Sequence, residues 1–434
     1  MFHGAFSPLA SAAALCALAG AVPAQVVPGL HELLPPVGPP VFNLTATDVS
    51  ADGRWAIGYH SSFPTRTAVR WPLTGPNAFV AQPLHNPTGW TNTTPTAISE
   101  DGSTVFGAGR APGQTFGSAF KWTSAGFTNL GTSGMPRDCS SNGGLVLIDN
   151  DSGAGSLWNA ATNSVVRWMP QGFTPSGMDA LGGNVVGGRS AYPYLAARET
   201  GGGGIEELCS LVGCGTSNSY TRPSSSDMSA DGSTWAGVIR QAGTGYGGYD
   251  ASLFFYRSGV LTTVPNACGV ASEPELAAVS APGTVAVGTM SFCGPTSFRA
   301  FYYEPASGMR SLHDVLTSSG VSVSGWDSLN VAHGVSANGS VVIGSGERSG
   351  PVYNVPFVAV VPLPCDPIDF NGDALFPDVQ DIADFLSVFA GGVCAGQQPG
   401  DVPCNSDIDF NNDSLLPDAA DIGSLIRVFG GGPC

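Results

Sequence analysis

The stretch Asp48-Val-Ser-Ala-Asp-Gly-Arg-Trp-Ala-Ile-Gly58 recurs in degraded form along most of the chain, and this repetition restricts the fold more than any other feature. Copies of its turn are Ala97-Ile-Ser-Glu-Asp-Gly102, Ser140-Ser-Asn-Gly143, Met178-Asp-Ala-Leu-Gly182, Asp227-Met-Ser-Ala-Asp-Gly232, Ala278-Val-Ser-Ala-Pro-Gly283 and Gly334-Val-Ser-Ala-Asn-Gly339. Asp-Gly and Asn-Gly tolerate positive φ, so each copy is expected to close a two-residue hairpin. The turn glycines are about 40–55 residues apart, the period of propeller blades.

Each repeat reads as four short strands. The first ends at the turn Ser, and the second is the run before a Gly, as in Arg54–Ile57, Thr104–Phe106 and Val341–Ile343. The third is aromatic-rich, as in Ala68-Val-Arg-Trp71, Ala119-Phe-Lys-Trp122 and Ala300-Phe-Tyr-Tyr303. The fourth follows a Gly turn, as in Gly126-Phe-Thr-Asn-Leu130 and Gly308-Met-Arg-Ser-Leu312. Four strands in each of seven repeats predict an all-β, seven-bladed β-propeller. The alternatives are an open solenoid or a differently counted ring, because the third and fourth repeats are irregular.

The last repeat stops after its third strand, at Val360-Val-Pro-Leu363. Gly29-Leu-His-Glu-Leu-Leu34 resembles Ser311-Leu-His-Asp-Val-Leu316, so the N-terminal segment is expected to add the missing outer strand and close the ring. On the same alignment His31 and His313 are equivalent and serve packing.

Composition decides between order and disorder. The chain of 434 residues holds 60 Gly and 34 Pro with only 11% charged residues, but it is 42% hydrophobic and regularly alternating. That combination indicates a turn-rich β protein. A net charge of −17 excludes nucleic acid and an anionic membrane surface as partners and is compatible with cations. Residues 5–20 are apolar but too short for a comfortable membrane span, and Val22-Pro-Ala24 supplies small residues for a signal peptidase. Residues 1–24 are therefore read as a signal peptide, although its first four residues carry no Lys or Arg. Nothing later is apolar enough to span a membrane. A secreted chain favours disulfides. Cys209 and Cys214 are spaced to bridge one loop, Cys268 is within reach of Cys293 across one repeat, and Cys139 is left over.

The pairing of Ser-Ala-Asp-Gly turns with Ser118-Ala-Phe-Lys-Trp122 and Arg299-Ala-Phe-Tyr-Tyr303 resembles the HAF-type extracellular repeat family, over residues 45–361. The His that names the family is replaced by Ser118 and Arg299. The resemblance implies a secreted propeller-like domain without established chemistry, here residues 25–363.

No nucleophile elbow, zinc-protease motif or phosphate loop occurs, and the histidines are isolated in sequence. Asp48, Asp52, Asp101, Asp227 and Asp231 recur beside the turns, where Asp supports the backbone. The non-repeating acids Glu199, Glu206, Glu207, Asp250, Glu275, Glu304 and Glu347 are the candidates for a paired-carboxylate pocket of a glycosidase or lyase. Trp90 and Trp326 lie outside the strand pattern, for packing or for stacking on a sugar.

From residue 364 the composition changes. Asp369-Phe-Asn-Gly-Asp-Ala-Leu375 and Asp409-Phe-Asn-Asn-Asp-Ser-Leu415 each offer oxygens at positions 1, 3 and 5 and a carbonyl at 7, the arrangement of a calcium loop. The ligands would be Asp369, Asn371, Asp373 and Leu375 in one copy and Asp409, Asn411, Asp413 and Leu415 in the other. Asp381 and Asp421, at position 13 rather than 12, would close each shell. Helices follow, with apolar faces Ile382, Phe385, Leu386, Phe389 and Ile422, Leu425, Ile426, Phe429 that are expected to pack together. This tail, 364–434, resembles a dockerin of the Gly-Cys-ended type found on secreted planctomycete-like bacterial proteins. The resemblance implies a small α-helical calcium-loop domain holding Ca2+. It also implies a protein receptor, cohesin-like or other, and disulfides among Cys365, Cys394, Cys404 and Cys434.

The expected function is a non-enzymatic secreted protein anchored at the cell surface or on a scaffold, its propeller offering a platform for a polysaccharide or protein ligand. The alternative is a glycan-active propeller enzyme targeted by the tail.

Overall fold

A computed structural model describes residues 26, 28–37, 43–62, 65–114, 117–150, 155–189, 196–202, 204–208, 210, 220–242, 249–265, 274–291, 298–348, 354–362, 379–389, 410 and 419–429. They fall into two units, Val26–Val361 and a tail from Pro362 onward. The expected signal peptide, the expected calcium ligands Asp369, Asn371, Asp373, Leu375, Asp409, Asn411, Asp413 and Leu415, and every cysteine except Cys139 lie outside the described residues.

The larger unit consists of seven four-stranded antiparallel sheets. A first strand, β1 (Gly29–Glu32), stands apart from its neighbours in sequence. Blade 1 is β2 (Asn43–Val49), β3 (Trp55–Ser62), β4 (Thr65–Pro72) and the two-residue β5 (Gln82–Pro83). Blade 2 is β6 (Thr91–Ile98), β7 (Thr104–Arg110), β8 (Ser118–Thr123) and β9 (Gly126–Ser133). Blade 3 is β10 (Met135–Cys139), β11 (Leu145–Asp149), β12 (Gly155–Asn159) and β13 (Ser164–Trp168). Blade 4 is β14 (Phe173–Met178), β15 (Asn184–Arg189), β16 (Ala196–Thr200) and β17 (Gly204–Glu207). Blade 5 is β18 (Tyr220–Met228), β19 (Thr234–Ala242), β20 (Tyr249–Arg257) and β21 (Val260–Pro265). Blade 6 is β22 (Glu275–Val279), β23 (Ala286–Ser291), β24 (Phe298–Glu304) and β25 (Gly308–Ser311), followed by helix α1 (Leu312–Ser318). Blade 7 is β26 (Trp326–Val335), β27 (Val341–Arg348) and β28 (Val355–Val360), with β1 as its fourth strand.

The first strands touch one another in an unbroken circuit, β2 to β6 and so on to β26 and back to β2. They therefore surround the axis, and the fold is a seven-bladed propeller. The hydrophobic core is divided in the same way. Seven clusters of buried side chains each straddle two adjacent blades, such as Ile57, Ala68, Val105 and Phe120 between blades 1 and 2.

Closure follows the expected route. β1 pairs antiparallel with β28, Gly29 opposite Val360 and Glu32 opposite Phe357. The chain then crosses to blade 1, where Leu34 N–H donates to Phe79 O (2.7 Å) and Leu34 O accepts from Trp71 Nε1 (2.9 Å). Arg348 on β27 also ion-pairs with Glu32. The alignment behind the expectation is corrected. His31 lies on β1, stacked on Phe79 at 4.4 Å, whereas His313 belongs to helix α1. Ser311 caps that helix by accepting from Asp314 N–H, so Ser-Leu-His-Asp starts a helix where Gly-Leu-His-Glu continues a strand.

The turns also differ from the expected two-residue hairpins. In blade 1 four residues, Ala51–Arg54, separate Ser50 from Trp55, which face each other through Ser50 N–H to Trp55 O (2.8 Å). Gly53 N–H returns to Ser50 O (2.9 Å), and Gly53 takes φ 69°. Ser50 Oγ donates to Asp52 Oδ1 (2.6 Å) and accepts from Trp55 N–H (3.0 Å), while Asp52 Oδ1 accepts Arg54 N–H (3.0 Å). This is a four-residue loop built on a tight turn. The irregular fourth copy obeys the same physics. Asp179 stands in the Ser position, and its two oxygens accept Leu181, Gly183 and Asn184 N–H at 2.8–3.1 Å.

In the tail, α2 (Val379–Phe389) and α3 (Ala419–Phe429) share a small core of Phe385, Phe410 and Leu425. The expected helix faces meet in part. Ile422, Leu386 and Phe389 pack against this core, but Ile426 is 57% exposed, and Phe410, from the segment before α3, joins the core.

Candidate functional site

The axis is lined by a repeated irregularity. In all seven blades the pairing of first and second strands slips by at least one residue near the same place, as between Ala46 and Asp48, Pro95 and Ala97, and Ala332 and Gly334. The bulge brings first-strand backbone against the second strand and re-aims the residues that follow. In blades 1 and 2 a threonine occupies it and ties the blade to its neighbour: Thr47 Oγ1 donates to Pro95 O (2.8 Å) and Thr96 Oγ1 to Pro136 O (2.7 Å).

Two residues before the turn Ser, or before Asp179 in its place, stand Asp48, Asp138 and Asp227, in blades 1, 3 and 5, where the other blades have Ala97, Gly177, Ala278 and Gly334. Asp138 accepts from Cys139 N–H (2.7 Å) and, in the next blade, from Met178 N–H (2.8 Å). Asp48 accepts from Val49 N–H (2.8 Å), and Asp227 reaches Val279 N–H of blade 6 (2.9 Å). The small residues make room: a Cβ on Gly177 would sit 2.4 Å from Asp227 Oδ1. Burial, with Asp227 facing it, pushes the Asp138 carboxyl up to about 7, and burial pushes Asp227 up to about 6. Burial also holds Asp48 well above the usual carboxylate range, with Asp138 and Asp227 adding repulsion. Three carboxylates that repel one another from alternate blades surround one axial space. Burial pushes His333, on β26, down to about 4, so it is neutral at pH 7.

Asp48 and Asp227 are therefore channel residues, not turn residues, whereas Asp52, Asp101 and Asp231 do serve turns by accepting Ser and backbone donors. Asp138 went unrecognised in the sequence, although it stands two residues before its turn Ser like the other two. The side chain of Asp250 lies outside the described residues, and the other non-repeating acids do not meet at the axis. Glu199 pairs with Arg167 (2.8 Å), Glu207 with Arg189 (2.6 Å) and Glu304 with Arg310 (3.2 Å) on outer strands, and Glu206 pairs with Arg198. Trp90 packs edge-on against Phe127 at 4.9 Å, and Trp326 against Phe357 at 5.8 Å. Cys139 is a free, half-buried thiol. Among the described residues no group of three or more His, Cys, Asp or Glu converges as a metal cluster.

The two ends of the propeller differ. The turns joining first to second strands are uniform, and their backbones are linked from blade to blade except between blades 5 and 6. Glu100 N–H donates to Ser141 O, Ser141 to Ala180, Ala180 to Ala230, Ala281 to Ala337 and Ala337 to Ala51, at 2.8–3.2 Å. Second-to-third connections, at the opposite end, range from two residues (63–64) to seven (111–117). Glu275 and Glu347 come together there, in a cleft between blades 6 and 7. In the tail, Asp381 and Asp421 lie in the first turns of α2 and α3, each no more than 2% exposed, with Asp384 and Ser424 also buried.

No family model matches the sequence, and no curated protein does. Among solved structures, the chain is similar to the β-propeller domain of the Trilobed protease from Pyrococcus furiosus. Identity is 12% and the TM-score 0.50, over 74% of this chain and 96% of that one. It is also similar to an oligogalacturonate lyase in complex with manganese, with 11% identity and TM-score 0.50 over 77% of this chain and 93% of that one. At such identities the likeness is one of fold. The protease domain is described as having an open velcro topology, whereas here β1 closes the ring.

Proposed function

We propose that this chain is a secreted, non-enzymatic binding protein whose propeller is the recognition platform and whose dockerin-like tail attaches it to a protein receptor on a surface or scaffold. The supporting observation is the matched burial of Asp381 and Asp421 at the starts of two helices that share one core. Matched acids at this position of each copy are the donor type that closes a shell of oxygens around a calcium ion. The donor set fits calcium: Asp369, Asn371, Asp373, the Leu375 carbonyl and Asp381 in one copy, and Asp409, Asn411, Asp413, the Leu415 carbonyl and Asp421 in the other. Bound calcium supplies positive charge that draws these oxygens together and fixes the loop against its helix. The expected result is calcium binding by the mature chain in titration calorimetry, weakened at least ~10-fold in the joint Asp369→Ala, Asp409→Ala variant. The mature chain should also sediment with cell envelopes in calcium but not in chelator. Unchanged heats in the variant, or sedimentation indifferent to chelator, would refute the reading.

A second reading, a glycan-active enzyme, is favoured by the axial carboxylates of raised proton affinity. Their hydrogen bonds to the backbones of neighbouring blades give them a structural occupation already. The enzyme reading predicts release of sugar ends or unsaturated products from a panel of polysaccharides, abolished by Asp138→Asn. No turnover on any member would set it aside.

A further inference from the structure

Blades 6 and 7 part at the end of the propeller with variable connections and leave a cleft of about 770 Å³. Strand alternation settles which side chains of blade 6 face it. Val287 on β23 and Ala300 and Tyr302 on β24 belong to the core shared with blade 7. Thr289 and Phe298, each two residues from one of them on regularly paired strands, point the same way. Phe298 is 53% exposed on the cleft wall. Thr289 lines the cleft too, is only 8% exposed, and its hydroxyl has no hydrogen-bond partner among the described residues. Enclosed hydroxyls are normally satisfied, so a molecule in the cleft completes this one.

The ionic groups that remain for a ligand are balanced. Glu347 accepts from Asn330 Nδ2 (3.2 Å), and Ser328 Oγ approaches its other oxygen (3.5 Å). Ser328 is its register partner and only 5% exposed, so the carboxylate is oriented before anything binds. Both partners are neutral, and no cation pairs with Glu347 among the described residues. Arg299 donates from Nη1 to Phe298 O (2.7 Å) and pairs with no carboxylate among the described residues, which leaves its remaining N–H donors for a ligand. Glu275 and Asp327 also line the cleft, but they have partners of their own.

One carboxylate and one guanidinium without ionic partners favour a ligand of no net charge, because an ion of either sign is attracted by one and repelled by the other. Sugar hydroxyls serve both groups, donating to the carboxylate and accepting from the guanidinium, and a sugar ring offers a C–H face to an aromatic side chain. A small zwitterion would satisfy the two charges but would leave Thr289, Phe298 and most of the volume unused. Pockets of roughly 300–1,000 Å³ take ligands larger than a single ring.

We infer that this cleft binds a short run of a neutral polysaccharide, its hydroxyls shared among Glu347, Arg299 and Thr289 and one ring face laid on Phe298. The inference rests on the reading of the propeller as the recognition half of the chain and names its ligand class. It is independent of the tail, because loss of calcium-dependent docking leaves it standing and loss of glycan binding leaves docking standing.

The test is calorimetric titration of the full mature chain with the linear hexaoses of glucose, mannose and xylose. Oligogalacturonate, deacetylated chito-oligosaccharide and tetraglycine serve as anionic, cationic and zwitterionic comparisons. At least one neutral hexaose is expected to bind, with an affinity unchanged by salt and by chelator. Glu347→Gln and Phe298→Ala should each weaken it at least ~10-fold, and Thr289→Val by less, all with an unchanged thermal midpoint. Heat from none of the three hexaoses overturns the inference, as does undiminished affinity in the joint Glu347→Gln, Phe298→Ala variant. Tighter binding of either charged oligomer, or of tetraglycine, would overturn it in favour of an ionic ligand.

Discussion

Gly58, the residue that ends the repeated motif, shows how one missing side chain makes the fold possible. It lies on β3 opposite Ala46, directly beside the bulge, and a Cβ there would sit 1.9 Å from Thr45 O. Gly107, Gly187, Gly288 and Gly344 meet first-strand carbonyls at 2.0–2.2 Å in the same way. The glycine is needed for close backbone approach, since its φ is not in the left-handed region. Gly58→Ala is therefore expected to destabilise the propeller by ~3 kcal/mol or more, as forced overpacking does. Gly75→Ala, whose new methyl would meet nothing within 4 Å, bears only the cost of its φ of 87°, ~1–2 kcal/mol. Urea unfolding of the two variants measures both, and equal losses would contradict the close-approach account.

At the scale of the element, local signals carried well where one short stretch held all the physics. The Ser and Asp of the turn bond to each other and to the backbone within five residues, so the repeat and its count were legible. So was the need for an outer strand in blade 7, although the alignment used to find it matched a strand to a capped helix. Both segments begin with a short polar or small residue and Leu-His-acid, and pairing with β28, which sequence does not display, separates them. The bulge was not legible, because it consists of two strands' registers. Without it, Asp48 and Asp227 read as turn residues and Asp138 as nothing in particular. The cleft was hidden for the same reason: Glu347 and Glu275 stood out as non-repeating acids, but Asp327, Asn330 and Phe298 join them only through the meeting of two blades.

For the whole molecule, the axial carboxylates couple stability to pH. Asp138 and Asp227 bind protons more tightly in the folded ring than a free carboxyl with pKa ~3.9 does, because burial disfavours their charge. The folded state therefore holds more protons than the unfolded chain between about 4 and 7. Stability from this source is complete below pH 4 and is lost as pH rises through about 6 and 7. The thermal midpoint at constant ionic strength is expected to fall between pH 5 and pH 8. Asp138→Asn should flatten that slope while lowering the midpoint at pH 5, since its amide nitrogen would face Met178 N–H or Cys139 N–H. A midpoint that climbs across the same interval would mean the three acids are ionised throughout.

The pairing of β1 with β28 also orders events during synthesis. Gly29 leaves the ribosome long before Val360, its partner, has been made. Until then blade 7 lacks an outer strand, and Leu34, already able to join blade 1, holds a loose end beside it. Six blades can stack as they emerge, but the ring becomes whole only when its oldest strand meets its youngest, a contact of very long sequence separation and correspondingly slow formation. During that interval the unpaired edges of the nascent ring are open to any other chain that offers a strand.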